Sequence, residues 1–433
     1  MGAATTTGQP AGPVTTTTTA PRPTSAQAAQ ALTWGLVAVA LLALAVVEWT
    51  RPVAEPVAAV AADSFLSAEA VQRATEFRQP LRWASLLSLL LRMGVAGAGM
   101  WWLHRRRASQ PRASRWRRCL GAAAIASALW AATDVVRFPL QAWAWSRSAD
   151  VGLSTQTFWQ WARDWLIEAG PYWLGVGICV AVAVWLAERL PRLWVPVAGL
   201  LGGLVGVVMI LISPLLFEPL LLSFTPLPEG PLRQDILDLV AAAEEGDSPV
   251  RADLLVADAS RRTTASNAYV SGIGGTRRIV LYDTLLADAP DEEVLAIVAH
   301  ELAHDRNGDL ERTAVSLMAL SVLLVAAVGW KLGDRLPPPG GRIDPRTAGI
   351  AVALVILLLA GLGPLERGVS RRSESAADAG ALALTGDPAA YTAMMTGLAE
   401  RNLSDPDPPG WYVTLFHSHP PIGQRIARAQ QEG

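Results

Sequence analysis

The sequence has almost no lysine, very little cysteine and no strong excess of charge of either sign. Lys331 is the only lysine, so arginine supplies nearly all the basic side chains, and the formal net charge is −2 at pH 7. This balance predicts no nucleic-acid partner, because such partners require strongly basic surfaces. Cys119 and Cys179 are too few for a disulfide framework or a cysteine zinc site, and we expect both to be small buried side chains.

Charged residues are scarce as well, and the apolar residues are gathered into long runs. Only 17% of the 433 residues are charged and 51% are hydrophobic. A helix needs about 20 apolar residues to cross a bilayer, and tryptophan or tyrosine marks the ends of several of the runs. We predict seven transmembrane helices, at residues 31–49, 83–103, 119–136, 172–186, 194–217, 313–332 and 348–362.

The first thirty residues lack the side chains needed to build a core. They are rich in threonine, alanine, proline and glycine, with Arg22 the only charge, so we expect a disordered tail. The apolar run from residue 31 has no basic segment directly before it and no clear cleavage site after it. We therefore predict a retained transmembrane helix rather than a removed signal peptide.

The polar segments divide the chain into five parts. After the tail come transmembrane helices one to five (31–217), an α/β insertion (218–312), helices six and seven (313–364) and a helical C-terminal part (365–433). Within these parts we predict helices at 232–245 and 370–384, and strands at 250–257, 267–271 and 278–282. The predicted fold class is therefore a mainly α, multi-pass membrane protein with a small α/β insertion.

An H-E-x-x-H pattern lies on a helix that begins near Pro290. His300 and His304 are four residues apart, so their imidazoles project from one helix face, where both can ligate a single Zn²⁺. Glu301 projects to the side of such a metal and can act as general base for a metal-activated water. This pattern predicts a zinc peptidase.

A third protein ligand must come from elsewhere, because residue 311 is glutamate and the longer H-E-x-x-H-x-x-G-x-x-H pattern is absent. Glu374 is a candidate ligand, and Asp378, one turn later, could accept the free ring N–H of a ligating histidine. Taken alone, an acidic helix after a transmembrane span is usually a solvated face. Weaker rivals for the third position are Asp305, Asp309 and Glu311.

Several motifs in order resemble one family. They lie at residues 152–157, 224–230, 266–269, 279–285, 370–378 and 417–421. With the zinc helix and Arg425, these motifs resemble the membrane-embedded type I CAAX prenyl endopeptidases, with the bacterial HtpX-type proteases as more distant relatives. The resemblance extends over nearly everything from about residue 31 to residue 429.

The resemblance implies roles that the residues alone do not establish. It implies that Glu374 is the third ligand of one zinc ion, and that Asn267 and His419 lie beside the metal and stabilise the developing oxyanion. Arg425 would support that site or a substrate carboxylate. The resemblance also implies that the strand at 267–271 pairs with an extended peptide, and that the seven helices enclose a water-filled chamber. Without it, Asn267 would be a turn residue and His419 a loop histidine.

Together these features predict an integral membrane zinc metalloendopeptidase in the cell membrane. Its expected partners are the lipid bilayer and a membrane-associated protein or peptide substrate. The alternative is a non-catalytic membrane scaffold or chaperone that retains the fold. A transporter is less consistent with the sequence, which shows no inverted repeats.

The sequence leaves two questions open. The segment 104–118 has seven arginines, and the loops near Arg189 and Arg335 are also basic, so the positive-inside rule places them in the cytoplasm and the catalytic segment outside. The family resemblance implies a catalytic site that faces the cytosol. In the third predicted span, Asp134 and Arg137 could line a chamber or form an i,i+3 ion pair at the membrane interface.

Overall fold

A computed structural model describes residues 24–106, 113–243, 253–272, 277–336 and 341–432. Most of the described residues are helical, and one small sheet is present. The fifteen α-helices of the described part are α1 (Ser25–Trp49), α2 (Ala68–Arg105), α3 (Arg115–Val135), α4 (Phe138–Asp150), α5 (Phe158–Arg189), α6 (Trp194–Leu216), α7 (Glu218–Leu221), α8 (Pro231–Ala243), α9 (Asp283–Asp288), α10 (Asp291–Arg306), α11 (Asp309–Lys331), α12 (Pro345–Thr385), α13 (Pro388–Arg401), α14 (Gly410–Phe416) and α15 (Ile422–Glu432).

Seven helical segments in the described part are long and apolar enough to cross a membrane. They contain six of the seven predicted runs completely and the run at 313–332 except for its last residue, in the same order. The prediction of a mainly α, multi-pass membrane protein with about seven spans and a small α/β insertion is therefore confirmed. The predicted disordered tail falls mostly on residues 1–23, which lie outside the described residues.

The first transmembrane helix begins earlier than its apolar run. Helix α1 begins at Ser25 because Thr24 caps it: the Thr24 side chain accepts a hydrogen bond from Gln27 N–H, and the Gln27 side chain accepts one from the Thr24 backbone. Such a capping box satisfies two backbone donors that would otherwise lack partners.

Cys119 is buried as expected, whereas Cys179 is exposed on α5.

Helix α12 corrects the prediction of a separate helix at 370–384. It is one continuous helix of 41 residues that carries the last apolar run and the acidic segment together. Pro364 lies inside it and removes one backbone donor without ending it, as is tolerated in transmembrane helices. The helix ends at Gly386, which has a left-handed conformation with φ of 61°. Glu374 is thereby fixed directly to a transmembrane helix.

The sheet has four strands in the order β1-β2-β4-β3, with β3 at one edge. The strands are β1 (Phe224–Pro226), β2 (Asp253–Ala257), β3 (Ala268–Ser271) and β4 (Arg278–Tyr282). The pairs β1–β2 and β3–β4 are antiparallel, whereas β2 and β4 are parallel. Three of the strands were predicted, but β1 was not, since three residues with a proline give no alternating pattern.

A single apolar core joins the sheet to the helices around it. Ile279 and Leu281 of β4 are fully buried against Ile236 of α8 and Val298 of α10, and Met394 of α13 joins the same cluster. Helix α10 also packs along α12. Burial of this apolar surface fixes α10 between the sheet and α12, so one face of α10 meets the acidic segment of α12.

Candidate active site

Helix α10 presents the H-E-x-x-H residues from a well-defined start. Pro290 is its N-cap residue, and acidic side chains fill its first turn, where they complement the helix dipole. The helix is buried along most of its length between Val294 and Ala303, and His300 is only 7% exposed. Because apolar neighbours hold the helix on several sides, the two imidazoles have a fixed direction.

The structure brings His300, His304 and Glu374 together. One potential ligand atom from each of the three lies within 4.8 Å of the others. The Nε2 atoms of the two histidines are 3.2 Å apart. Glu374 Oε2 lies 3.3 Å from His300 Nε2, and Glu374 Oε1 lies 3.5 Å from His304 Nε2. Glu374, in the acidic segment of α12, therefore supplies the third candidate ligand.

These three residues fit a bound metal ion. Two nitrogen ligands of a tetrahedral zinc ion at about 2.0–2.1 Å would be about 3.4 Å apart, close to the observed spacing of the ring nitrogens. Glu374 Oε2 is buried without a hydrogen-bond partner in the described part of the chain. A buried carboxylate oxygen of this kind is costly unless it is neutralised, and a cation at this point would neutralise it. Two imidazoles and one carboxylate are also a common donor set for catalytic zinc.

Each histidine has a carboxylate on its other ring nitrogen. Asp378 Oδ1 lies 3.0 Å from His300 Nδ1, and Asp309 Oδ2 lies 2.8 Å from His304 Nδ1. Such carboxylates fix the ring orientation and keep the proton on Nδ1, which leaves the Nε2 lone pair for a metal. The sequence predicted Asp378 for this role. It gave Asp309 only as a weak candidate ligand, but in the structure Asp309 contacts His304 Nδ1 instead.

The carboxylates also control the charge of the two rings. Burial alone would lower the pKa of His304, but the hydrogen bonds with Asp309 and Glu374 outweigh it and raise the pKa to about 10. At His300, burial is likewise opposed by Asp378 and Glu374, and the pKa is raised. The surroundings therefore favour positive charge at the point where the rings meet.

Arg425 of α15 forms a buried ion pair with Asp378. Its Nη2 lies 2.6 Å from Asp378 Oδ1, and Nε lies 3.0 Å from Oδ2. Asp378 is 1% exposed and Arg425 9%. Arg425 Nη2 also lies 3.4 Å from His300 Nδ1. Arg425 therefore contacts both Asp378 and the side of the His300 ring that bears Nδ1.

The other predicted catalytic residues occupy different surroundings. His419 Nε2 lies 3.3 Å from Glu374 Oε1, and its side chain is 57% exposed. Glu301 follows His300 on α10 and is partly exposed. Asn267 lies directly before β3 with an exposed side chain, and its backbone carbonyl accepts a hydrogen bond from Tyr282 N–H. No hydrogen bond joins the Asn267 side chain to the three ligands in the part of the chain that the structure describes.

One residue that lies behind His304 was not predicted from the sequence. Arg51, which follows helix α1, is 7% exposed and donates to Asp309 Oδ1 at 3.3 Å and to the Ser373 hydroxyl. Asp309 therefore lies between His304 and this arginine. An arginine two residues after a transmembrane helix is an ordinary interfacial pattern, so no local feature of the sequence indicated this role.

A second missed residue, Asn402, holds the segment that precedes Asn267. Its side-chain oxygen accepts from Ser266 N–H at 2.9 Å, and its side-chain nitrogen donates to Ser266 O at 3.0 Å. Arg78 of α2 in turn donates to the backbone carbonyls of Asn402 and Leu403. A transmembrane helix thereby supports the loop beside Asn267, a contact between residues far apart in the chain.

Comparisons with known proteins find similar metallopeptidases. The model of peptidase family M48 matches residues 226–432. The chain is 33% identical over 314 residues to the uncharacterized metalloprotease YhfN of Bacillus subtilis, an alignment that covers 69% of this chain and 71% of that protein. It is also 33% identical over 285 residues to the CAAX prenyl protease 1 homolog of Oryza sativa, over 64% of this chain and 65% of that protein.

A solved structure shares the fold of most of the chain. The crystal structure of S. mikatae Ste24p superposes with a TM-score of 0.66 and covers 93% of this chain and 96% of that chain, at 18% sequence identity. At this identity the likeness concerns the fold. It includes the transmembrane helices as well as the part that contains the metal-ligand group.

Proposed function

Because the chain belongs to the CAAX prenyl endopeptidase family of M48 metallopeptidases, and is itself a multi-pass membrane metallopeptidase, we propose that its catalytic metal is a single zinc ion held by His300, His304 and Glu374. One observation carries this proposal: two ring nitrogens 3.2 Å apart face a buried carboxylate, one oxygen of which has no hydrogen-bond partner among the described residues. When bound, zinc supplies a Lewis acid that lowers the pKa of its water to about 7.

Glu301 is the general base of the proposed reaction. It is adjacent to a ligand on the same helix and partly exposed, so its carboxylate can take the proton of the attacking water and pass it to the leaving amine. Glu374 already contacts the two histidines, so we do not assign it as the base. His419 and Asn267 are proposed to donate hydrogen bonds to the carbonyl oxygen as negative charge develops on it.

The peptide is proposed to bind in an extended conformation along β3. This strand is at the edge of the sheet, and its only strand partner in the described part of the chain is β4. An extended peptide can add to such an edge by backbone hydrogen bonds. Membrane-associated proteins or peptides are the proposed substrates and the cell membrane the proposed location, because the site is built directly onto transmembrane helices. The ligands and the base are all present, and nothing favours the alternative of a non-catalytic scaffold.

The substitution Glu301→Gln tests this mechanism. It keeps the shape of the side chain and removes the base, so we expect the cleavage rate to fall about 10²–10⁴-fold while one zinc per chain is retained. Purified protein would be assayed for zinc content and for cleavage of a panel that contains casein and both prenylated and unprenylated peptides.

Glu292→Gln is the matched control, since Glu292 is exposed in the first turn of the same helix. We expect it to retain full activity. Equal cleavage by wild type and Glu301→Gln, with zinc bound in both, would exclude Glu301 as the base. Cleavage confined to prenylated peptides would identify the substrate class.

A further inference from the structure

A cavity lined by arginines lies behind the metal site. It has a volume of about 260 Å³ and is enclosed by α12, the start of α15 and the segment 53–57 that follows α1. Its polar lining includes Glu55, Arg371, Arg372, Ser375, Gln424 and Arg428, and Arg425 and Asp378 form one wall. Four arginines thus face two acidic residues, so the lining has an excess of positive charge.

The ion pair of Asp378 with Arg425 leaves three arginines beside Glu55, and one of them, Arg372, also lies 3.8 Å from Glu48. Asp378 is paired with Arg425 and contacts His300, and Glu55 is exposed. In the described part of the chain, the hydrogen bonds of Arg428 and Arg371 go to backbone carbonyls: Arg428 donates to Glu55 O at 2.8 Å, and Arg371 donates to Val413 O and His417 O. Arg428 is 8% exposed. A buried guanidinium without a carboxylate favours binding of an anion.

The cavity lies away from the reaction path. His300 directs Nε2 towards His304 and Glu374, and Nδ1 towards Asp378. Asp378 and Arg425, which form the cavity wall, are therefore on the side of the ring opposite the proposed metal. A ligand in the cavity would not contact the scissile bond.

The position relative to the bilayer restricts the kind of anion. Helix α1 ends at Trp49, which is 90% exposed, and the segment 53–57 follows it closely. On α12, the exposed Leu365 precedes Arg371 by about 9 Å of helix. Because both walls follow the ends of apolar spans, we expect them to lie next to the layer of lipid headgroups.

We propose that this cavity binds a phosphate group, either the headgroup of an anionic lipid or free inorganic phosphate. Guanidinium groups present planar pairs of N–H donors that match phosphate oxygens. The cavity also lies at the N-terminal turn of α15, where the helix dipole favours an anion. Its volume is below the roughly 300–1,000 Å³ of drug-sized ligand sites, as suits a small group. The bound phosphate holds the segment 53–57 against α12 and α15.

Thermal unfolding of the zinc-bound protein in detergent tests the proposal. Sodium phosphate at about 20 mM is compared with sodium chloride of equal ionic strength, so that general screening is the same. We expect phosphate to raise the unfolding temperature of the wild type by at least about 2 °C. The double substitution Arg372→Gln with Arg428→Gln should abolish this shift, and Arg367→Gln, outside the cavity on the same helix, should retain it.

A second variant covers the case in which loss of Arg428 prevents folding. Ser375→Glu places a carboxylate inside the cavity, so phosphate should no longer stabilise the protein. The lipid arm uses nanodiscs of phosphatidylcholine with and without phosphatidylglycerol, in chloride. Stabilisation by phosphatidylglycerol alone identifies a lipid headgroup, and stabilisation by phosphate alone identifies a soluble anion. The proposal is overturned if neither stabilises the wild type, or if Ser375→Glu responds as the wild type does. None of these measurements depends on proteolysis.

Discussion

At the scale of single residues, the site depends on carboxylates that are not metal ligands. Asp378 and Asp309 each contact the Nδ1 atom of one histidine, and Arg425 and Arg51 in turn hold these two carboxylates. Each imidazole is therefore oriented by a carboxylate that is itself held by an arginine from a distant part of the chain. The two pairs differ in origin, since Arg425 belongs to α15 and Arg51 follows the first transmembrane helix.

The substitution Asp309→Asn tests the pair behind His304. Asparagine keeps the size of the side chain but removes the negative charge that holds the Nδ1 proton, so we expect zinc affinity to fall about 10–100-fold. Competition with a chromogenic chelator would measure the affinity. Asp288→Asn, at an exposed position on α9, is the control and should bind zinc as the wild type does. Unchanged affinity in Asp309→Asn would show that Asp309 does not support the metal.

At the scale of elements, a proposed metal ligand and a carboxylate partner of His304 are attached directly to membrane helices. Helix α12 runs from its apolar half into the segment with Glu374, and α11 begins with Asp309. Gly308, with φ of 64°, makes the bend between α10 and α11. Because α11 packs closely along α6, the position of Asp309 depends on a contact between two transmembrane helices.

The substitution Gly203→Val tests this contact. A Cβ atom at Gly203 of α6 would lie 2.9 Å from Met318 Cα of α11, so the two backbones must separate. Small residues permit such close packing in membranes, and overpacking typically costs about 1–3 kcal/mol. We expect a clear fall in the thermal unfolding temperature in detergent. Gly175→Val on α5 is the control, since a Cβ atom added at Gly175 would have no neighbouring atom within 4 Å in the described part of the chain, and a similar fall in both variants would contradict the explanation.

At the scale of the whole molecule, polar segments gather at two opposite ends of the helix bundle. At one end, Arg51 contacts Asp309, and Arg78 contacts Leu403. At the other end, Glu188 accepts from Arg118 and from Ile343 N–H. Seven spans place helix α10 and the described C-terminal residues at the first end, and residues 104–106 and 113–118 at the second.

This arrangement gives a prediction for membrane orientation. The positive-inside rule places the arginine-rich end in the cytoplasm, so the catalytic end faces outward. Alkaline phosphatase fused at the C-terminus should then be active, and a fluorescent protein at the same position should stay dark. A fusion near residue 108 should give the opposite pair of results. A fluorescent C-terminal fusion would instead place the catalytic end in the cytosol, as the family resemblance implies.

Asp134 and Arg137 take part in a contact between two helices. The two side chains form an ion pair three residues apart, and Asp134 also accepts a hydrogen bond from Trp173 Nε1 at 2.8 Å. Arg137 donates in addition to the Thr133 carbonyl. The pair therefore joins the end of α3 to α5. No local sequence pattern predicted the hydrogen bond from Trp173 Nε1 to Asp134.

The sequence by itself determined the features that depend on local periodicity. Apolar runs near the length of a bilayer gave the seven spans, and the spacing of His300 and His304 gave two imidazoles on one helix face. Proline and acidic residues located the start of α10, because helix termini have local chemistry.

Only the tertiary structure decided which distant side chains meet. It brought Glu374 to the two histidines, placed Asp309 behind His304 rather than among the ligands, and joined Arg51 to Asp309 across 258 positions of the chain. It also added β1 to the sheet and merged the acidic segment into α12. These features depend on how burial of apolar surface orients whole helices against one another, and local propensity carries no information about that arrangement.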